Sequence, residues 1–122
     1  MIDTNILLVD DEKDSCASMS DIFLDLGYTV NMAYDGPGAL ELSGQHQYRL
    51  ALLDYMMPGM DGLELCRRLK TCQPNVVVAL ITAYSSVATA AAAAEAGVRR
   101  SLVKPVNFSI LMPFVKEVVG SN

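Results

Sequence analysis

The chain has 122 residues, enough for one compact domain with a single core and too few for two. A hydrophobic content of 52% excludes a disordered chain, and no apolar run approaches the ~20 residues needed to span a bilayer. The net charge of −5 argues against direct nucleic-acid binding by this domain, which normally needs a basic face.

Taken in chain order, apolar and helical segments alternate five times. The run Ile6-Leu7-Leu8-Val9 predicts a strand buried on both faces of a parallel sheet. Cys16, Met19, Phe23 and Leu26 then recur at helical spacing, and Gly27 stands where a left-handed helix cap belongs. The alternating segment from Thr29 to Ala33 reads as a half-exposed edge strand. A short second helix is expected with Pro37 at its first position. Leu50 to Leu53 is a second buried strand, preceded by a polar stretch holding His46, the only histidine. Nothing near His46 in sequence would complete a metal or base site.

Asp61 is placed to cap a third helix carrying Leu65, Cys66 and Leu69 and stopping before Pro74. Val76 to Ile81 is the fourth strand, and Ser85 or Ser86 opens a helix that Gly97 ends. The run Ala90 to Ala94 suits that helix but buries little side-chain area. Ser101 to Val103 fits a short strand at the opposite edge, and Asn107 can cap the fifth helix. Pro113 removes one backbone hydrogen bond there, so the helix either kinks or begins later.

Five βα units with right-handed crossovers make an α/β three-layer sandwich. Placing the second and fifth strands at the edges gives the flavodoxin-like order 2-1-3-4-5 for the five-stranded parallel sheet. Residues 1–122 are expected to form one domain. The start, Met-Ile-Asp-Thr-Asn, lacks the features of a signal peptide, so a cytoplasmic protein is expected. Cys16, Cys66 and Cys72 are an odd count without a Cys-x-x-Cys pair, so neither a disulfide framework nor a zinc site is expected.

The polar residues at the strand ends carry the chemistry. Asp10 and Asp11 end the first strand, Asp54 the third, Thr82 the fourth and Lys104 the fifth. All these ends share one edge of a parallel sheet, at the switch point where ligands bind. One Asp after a strand is a common turn former, but five polar residues at equivalent positions ask for more. Carboxylates this close repel by roughly 1–4 kcal/mol a pair, which calls for a cation. Oxygen-only ligands favour Mg²⁺ over Zn²⁺. A Lys and a Thr beside such a cluster suit phosphoryl oxygens, and a carboxylate there can act as a nucleophile.

With Ile6-Leu-Leu-Val-Asp-Asp11, Leu52-Leu-Asp-Tyr-Met-Met-Pro-Gly-Met-Asp-Gly62, Leu80-Ile-Thr-Ala83 and Lys104-Pro105 in this order, the chain resembles the receiver domain of two-component response regulators from Ile6 to about Val119. The resemblance implies that Asp54 is the phosphoacceptor, assisted by Lys104 and Thr82. It implies Mg²⁺, with Mn²⁺ as a substitute, held by Asp10, Asp11, Asp54 and the backbone carbonyl of Met56. It further implies a cis Lys104–Pro105 peptide that aims Lys104 inward, and a loop at Pro58, Gly59 and Gly62 shaped beside the acceptor. The implied partners are a sensor histidine kinase or phosphotransfer protein, docking near the first helix and the loop after the fifth strand, and a downstream effector. A phosphorylation-dependent dimer is also compatible. The domain would be a signalling switch that catalyses its own phosphorylation and slow dephosphorylation.

Two positions depart from the family pattern. Ser101 stands where a Tyr or Phe rotamer switch is usual, and Val106 replaces a frequent Phe. Tyr84 is the alternative candidate for an aromatic gate; the resemblance further implies that the residues at Met56 and Tyr84 limit attacking water, and both are bulky here. A dehalogenase-like phosphatase would need a second acid where Met56 stands, and a dinucleotide module would need glycines in place of Asp10-Asp11. An interaction module of the same fold without phosphorylation is the remaining alternative.

Overall fold

The computed structural model describes residues 1–83 and 86–120. The chain runs β1 (Ile2–Val9), α1 (Lys13–Asp25), β2 (Val30–Ala33), α2 (Gly36–Ser43), β3 (His46–Asp54), α3 (Gly62–Cys72), β4 (Val77–Thr82), α4 (Val87–Ala96), β5 (Val98–Val103) and α5 (Phe108–Val119). The five strands pair in parallel in the order β2-β1-β3-β4-β5. This is the expected three-layer α/β arrangement.

Alternation along the central strands splits the core between the two faces of the sheet. Ile6, Leu8, Leu50 and Leu52 pack with Phe23 and Leu111 on the side of α1 and α5. Leu7, Val9, Ala51 and Leu53 pack with Leu65, Leu69 and Ala96 on the side of α2, α3 and α4. Full burial of each large aliphatic contributes roughly 1.5–3 kcal/mol, so these unbroken apolar runs hold the three layers together.

Helix boundaries follow local chemistry. Asp61 Oδ1 accepts from the Glu64 N–H and fixes the start of α3, Ser86 Oγ accepts from Thr89, and Asn107 Oδ1 accepts from Ser109. Gly27 and Gly97 take positive φ values of 91° and 100° just past α1 and α4, the left-handed region glycine enters without steric cost. Pro37 stands second in α2, not first, because Asp35 caps that helix one residue earlier by accepting from Gly38. Pro113 lies within an α5 that begins at Phe108, so the later start does not occur. The hydrogen bond it forgoes is on an exposed stretch of the helix.

Three strands are longer than their apolar runs. β1 begins at Ile2, β3 at His46 and β5 at Val98. His46 thus belongs to β3, where its Nδ1 lies 2.8 Å from Thr4 Oγ1 and its ring stacks on Tyr48. Gln73 is 1% exposed and ties three segments: it accepts from the Tyr48 N–H and donates to the carbonyls of Ser43 and His46.

Candidate functional site

Parallel pairing puts the C-terminal ends of β1, β3, β4 and β5 on one edge. Val9 pairs with Leu53, Asp54 with Ile81, and Thr82 with Val103, so Asp10, Asp54, Thr82 and Lys104 emerge side by side. Ligand oxygens of Asp10, Asp11 and Asp54 lie within 4.8 Å of one another. Asp54 is 7% exposed, Asp10 is half-buried and Asp11 is exposed, a graded opening from the core to solvent.

Lys104 is the cation that faces them. Its Nζ lies 3.4 Å from Asp54 Oδ1 and 3.5 Å from Asp10 Oδ2. The Lys104 N–H donates to the Thr82 carbonyl, and the Lys104–Pro105 peptide is cis, as the resemblance implied. Asp10 is also held from the other side, where its Oδ1 accepts from the Glu12 N–H at 2.9 Å.

Burial pushes the Asp54 carboxyl above its ordinary pKa, and the neighbouring Asp10 carboxylate adds to the rise against the opposing Lys104 charge. Lys104 moves upward too. Burial alone would lower it, but Asp10 and then Asp54 outweigh that. One ammonium shared between two carboxylates is well compensated, whereas Asp54 has one cation against burial and a second anion. The site therefore carries an unbalanced negative charge.

The loop after Asp54 is built by a close backbone approach. The Gly62 N–H donates to the Tyr55 carbonyl at 2.9 Å, and a Cβ on Gly62 would lie 2.5 Å from the Asp54 carbonyl oxygen. Only glycine lets α3 start so close to the acceptor strand. Met56 lies in this loop and is 60% exposed, while Met57 is buried. Thr82 is buried at the end of β4. The candidate gate Tyr84 lies outside the described residues.

Sequence reasoning anticipated the converging side chains but not the amide of Glu12 on Asp10. The available signal was an Asp two residues before that amide, the spacing of an Asx turn.

The family model for the response regulator receiver domain matches residues 6–116. This chain belongs to the response regulator receiver domain family. Among its curated relatives, the transcriptional regulatory protein ZraR of Klebsiella oxytoca is 36% identical over 116 residues, covering 95% of this chain and 26% of ZraR. The response regulator MprA of Mycobacterium ulcerans is 38% identical over 100 residues, covering 82% of this chain and 43% of MprA. The receiver domain thus spans about a quarter of the length of the ZraR proteins it matches.

Among solved structures, a CheY-like receiver domain protein from Methanospirillum hungatei superposes with a TM-score of 0.88 at 30% identity, covering 93% of this chain and 91% of that one. A response regulator from Burkholderia pseudomallei superposes at 0.84 with 28% identity, covering 94% and 70%. That structure holds a phosphorylated aspartic acid and a calcium ion. Receiver domains of this family bind Mg²⁺ at an acidic pocket, and Asp10, Asp11 and Asp54 form an acidic cluster in this chain. Its donors are all oxygens, without His or Cys, which fits a hard divalent cation.

Proposed function

We propose that Asp54 accepts a phosphoryl group from the phosphohistidine of a sensor kinase or phosphotransfer protein, and that residues 1–122 act as one receiver unit in the cytoplasm. The observation that carries the reading is the convergence of Asp10, Asp11 and Asp54 with Lys104 on one rim.

A carboxylate oxygen of Asp54 attacks the phosphorus, the P–N bond to the imidazole breaks, and the histidine nitrogen leaves with the electron pair. Lys104, already 3.4 Å from Asp54, turns its charge onto the incoming phosphoryl oxygens, and the Thr82 hydroxyl at the next strand end donates to another. Asp10, Asp11, Asp54 and the carbonyl of Met56 would hold Mg²⁺, or Mn²⁺ in its place, which supplies charge neutralisation between carboxylates and phosphoryl oxygens. Self-dephosphorylation of the acyl phosphate is slow in this reading, with the bulk of Met56 and Tyr84 limiting attacking water. The output passes to a downstream effector; the relative ZraR is a transcriptional regulatory protein.

Incubation with acetyl phosphate and Mg²⁺, followed by intact-mass measurement, tests the reading. A gain of one phosphoryl that Asp54→Asn abolishes supports it. No gain, with the fold intact, favours an interaction module without phosphorylation.

A further inference from the structure

The two central strands open on polar residues, where a parallel sheet buried on both faces would carry apolar ones. β1 begins Ile2-Asp3-Thr4-Asn5 and β3 begins His46-Gln47-Tyr48-Arg49. Part of this polar stretch is satisfied internally. Thr4 Oγ1 lies 2.8 Å from His46 Nδ1, the Asn31 amide donates to the Tyr48 hydroxyl, and Gln73 accepts from the Tyr48 N–H.

The remainder is not. The side chains of Asp3, Gln47, Arg49 and Asn75 make no hydrogen bond or ion pair among the described residues. Asn5 accepts from the Thr29 N–H through Oδ1, which leaves its own amide N–H groups unused. All five residues line one cavity of about 500 Å³ at the N-terminal ends of β1, β3 and β4, the opposite end of the sheet from Asp54. Val77 of β4 and Val118 of α5 supply its apolar wall. Small-molecule sites commonly have about 300–1,000 Å³ and a few convergent polar groups.

Charge decides what fits. Asp3 is the one acid in the lining and Arg49 the one base. Asp3 pairs with Gln47 in the strand register and Arg49 follows two residues along β3, so the two charges stand on neighbouring strands without meeting as an ion pair. An anion such as phosphate would satisfy Arg49 but face Asp3, and a polyamine would satisfy Asp3 but face Arg49. A ligand carrying both charges leaves neither group opposed. A guanidinium grips a carboxylate through two parallel N–H···O bonds, and a carboxylate accepts from an ammonium. The carboxamides of Gln47 and Asn75 offer donors and acceptors to a polar side chain, and Asn5 adds donors.

We infer that this cavity binds a zwitterionic α-amino acid with an uncharged polar side chain. Its carboxylate lies on Arg49, its ammonium on Asp3 and its side chain among the amides of Asn5, Gln47 and Asn75. The site stands apart from the phosphoacceptor assignment and is testable without phosphorylation.

The probe is L-glutamine, titrated into the full chain with backbone amide shifts followed by NMR. Saturable shifts at Gln47, Arg49 and Asn75 are expected, with the amides around Asp54 unmoved. Glutaramate, which lacks the ammonium, and γ-aminobutyramide, which lacks the carboxylate, are each expected to bind at least tenfold more weakly. Arg49→Gln and Asp3→Asn, both at exposed positions, are expected to keep the thermal midpoint and to lose at least tenfold in affinity. Absence of saturation by L-glutamine, L-asparagine and L-serine overturns the inference, as does equal binding of either truncated analogue or unchanged affinity in either variant. Inorganic phosphate saturating the same amides as tightly as L-glutamine overturns it too, since the cavity would then be an anion site.

Discussion

Lys104 Nζ stands 3.4 Å from Asp54 Oδ1 while also lying 3.5 Å from Asp10 Oδ2, so one ammonium serves two carboxylates. The half-compensated partner is Asp54, and its excess negative charge costs stability until something positive arrives.

Asp54→Asn is expected to stabilise the domain at neutral pH in the presence of a chelator. A carboxylate whose folded pKa is raised favours folding in its protonated form. That contribution is fully present below the ordinary value of 3.8 and is lost as pH rises through the higher folded value. At pH 7 the ionised group opposes folding, and the amide does not. A gain on the order of 1 kcal/mol corresponds to roughly 3–6 °C in a domain of this size, measurable by thermal melts. The gain should vanish at pH values where both states carry protonated Asp54. A variant less stable than the parent at pH 7 in chelator contradicts the charge imbalance.

Mg²⁺ is expected to raise the melting temperature of the parent protein and to lose that effect on chelation. Binding to the folded state alone contributes about 2.7 kcal/mol when the free ion is at a hundred times its dissociation constant. Asp11→Asn removes one hard oxygen charge from the cluster, and titration of melting temperature against Mg²⁺ should show at least tenfold weaker binding. An unchanged titration in Asp11→Asn would remove that residue from the cation site.

Gly62→Ala is expected to destabilise the domain by roughly 1–3 kcal/mol, the usual cost of forcing a methyl into packed backbone. The obstructing atoms are the Asp54 carbonyl oxygen, the Tyr55 Cα and a Leu80 methyl, so relief displaces the end of β3. Phosphorylation by acetyl phosphate should slow in step. Urea denaturation and phosphorylation rates measured on the same preparation check both halves.

Thiol reactivity should single out Cys72. Burial, with help from Asp10, pushes the Cys16 thiol up to about 11, and burial likewise raises Cys66, whose Sγ lies 3.3 Å from the Ala96 carbonyl. Both remain protonated and covered at pH 8, while Cys72 is exposed at the end of α3. An aromatic disulfide reagent should release one equivalent from the native protein and three in urea, the full cysteine count.

Much of the fold was legible because buried parallel strands leave unbroken apolar runs such as Ile6-Leu7-Leu8-Val9. Strand starts were not, because at Ile2 and His46, and at Arg99 and Arg100 just after Val98, the chain runs in a strand while its side chains are polar or exposed. The site was legible in Asp10, Asp54, Thr82 and Lys104 because topology alone aligns strand ends. What escaped was made by main-chain groups and long-range contacts: the Glu12 amide on Asp10, the Asp35 cap on α2, and Gln73 bonding across three segments. Such bonds depend on tertiary placement and carry no periodicity of their own. Ser101 was legible as a departure from the family pattern, and it lies exposed on β5, paired with Leu80 of β4.

The most direct test of Asp54 as acceptor is chemical mapping of the phosphoryl group. Borohydride reduction of the acetyl-phosphate-treated domain, followed by tandem mass spectrometry, converts an aspartyl phosphate into homoserine at its own position. Homoserine in place of Asp54, formed only with Mg²⁺ present, is the predicted result. Homoserine in place of Asp10 or Asp11, or none from a folded protein under the same conditions, would contradict it.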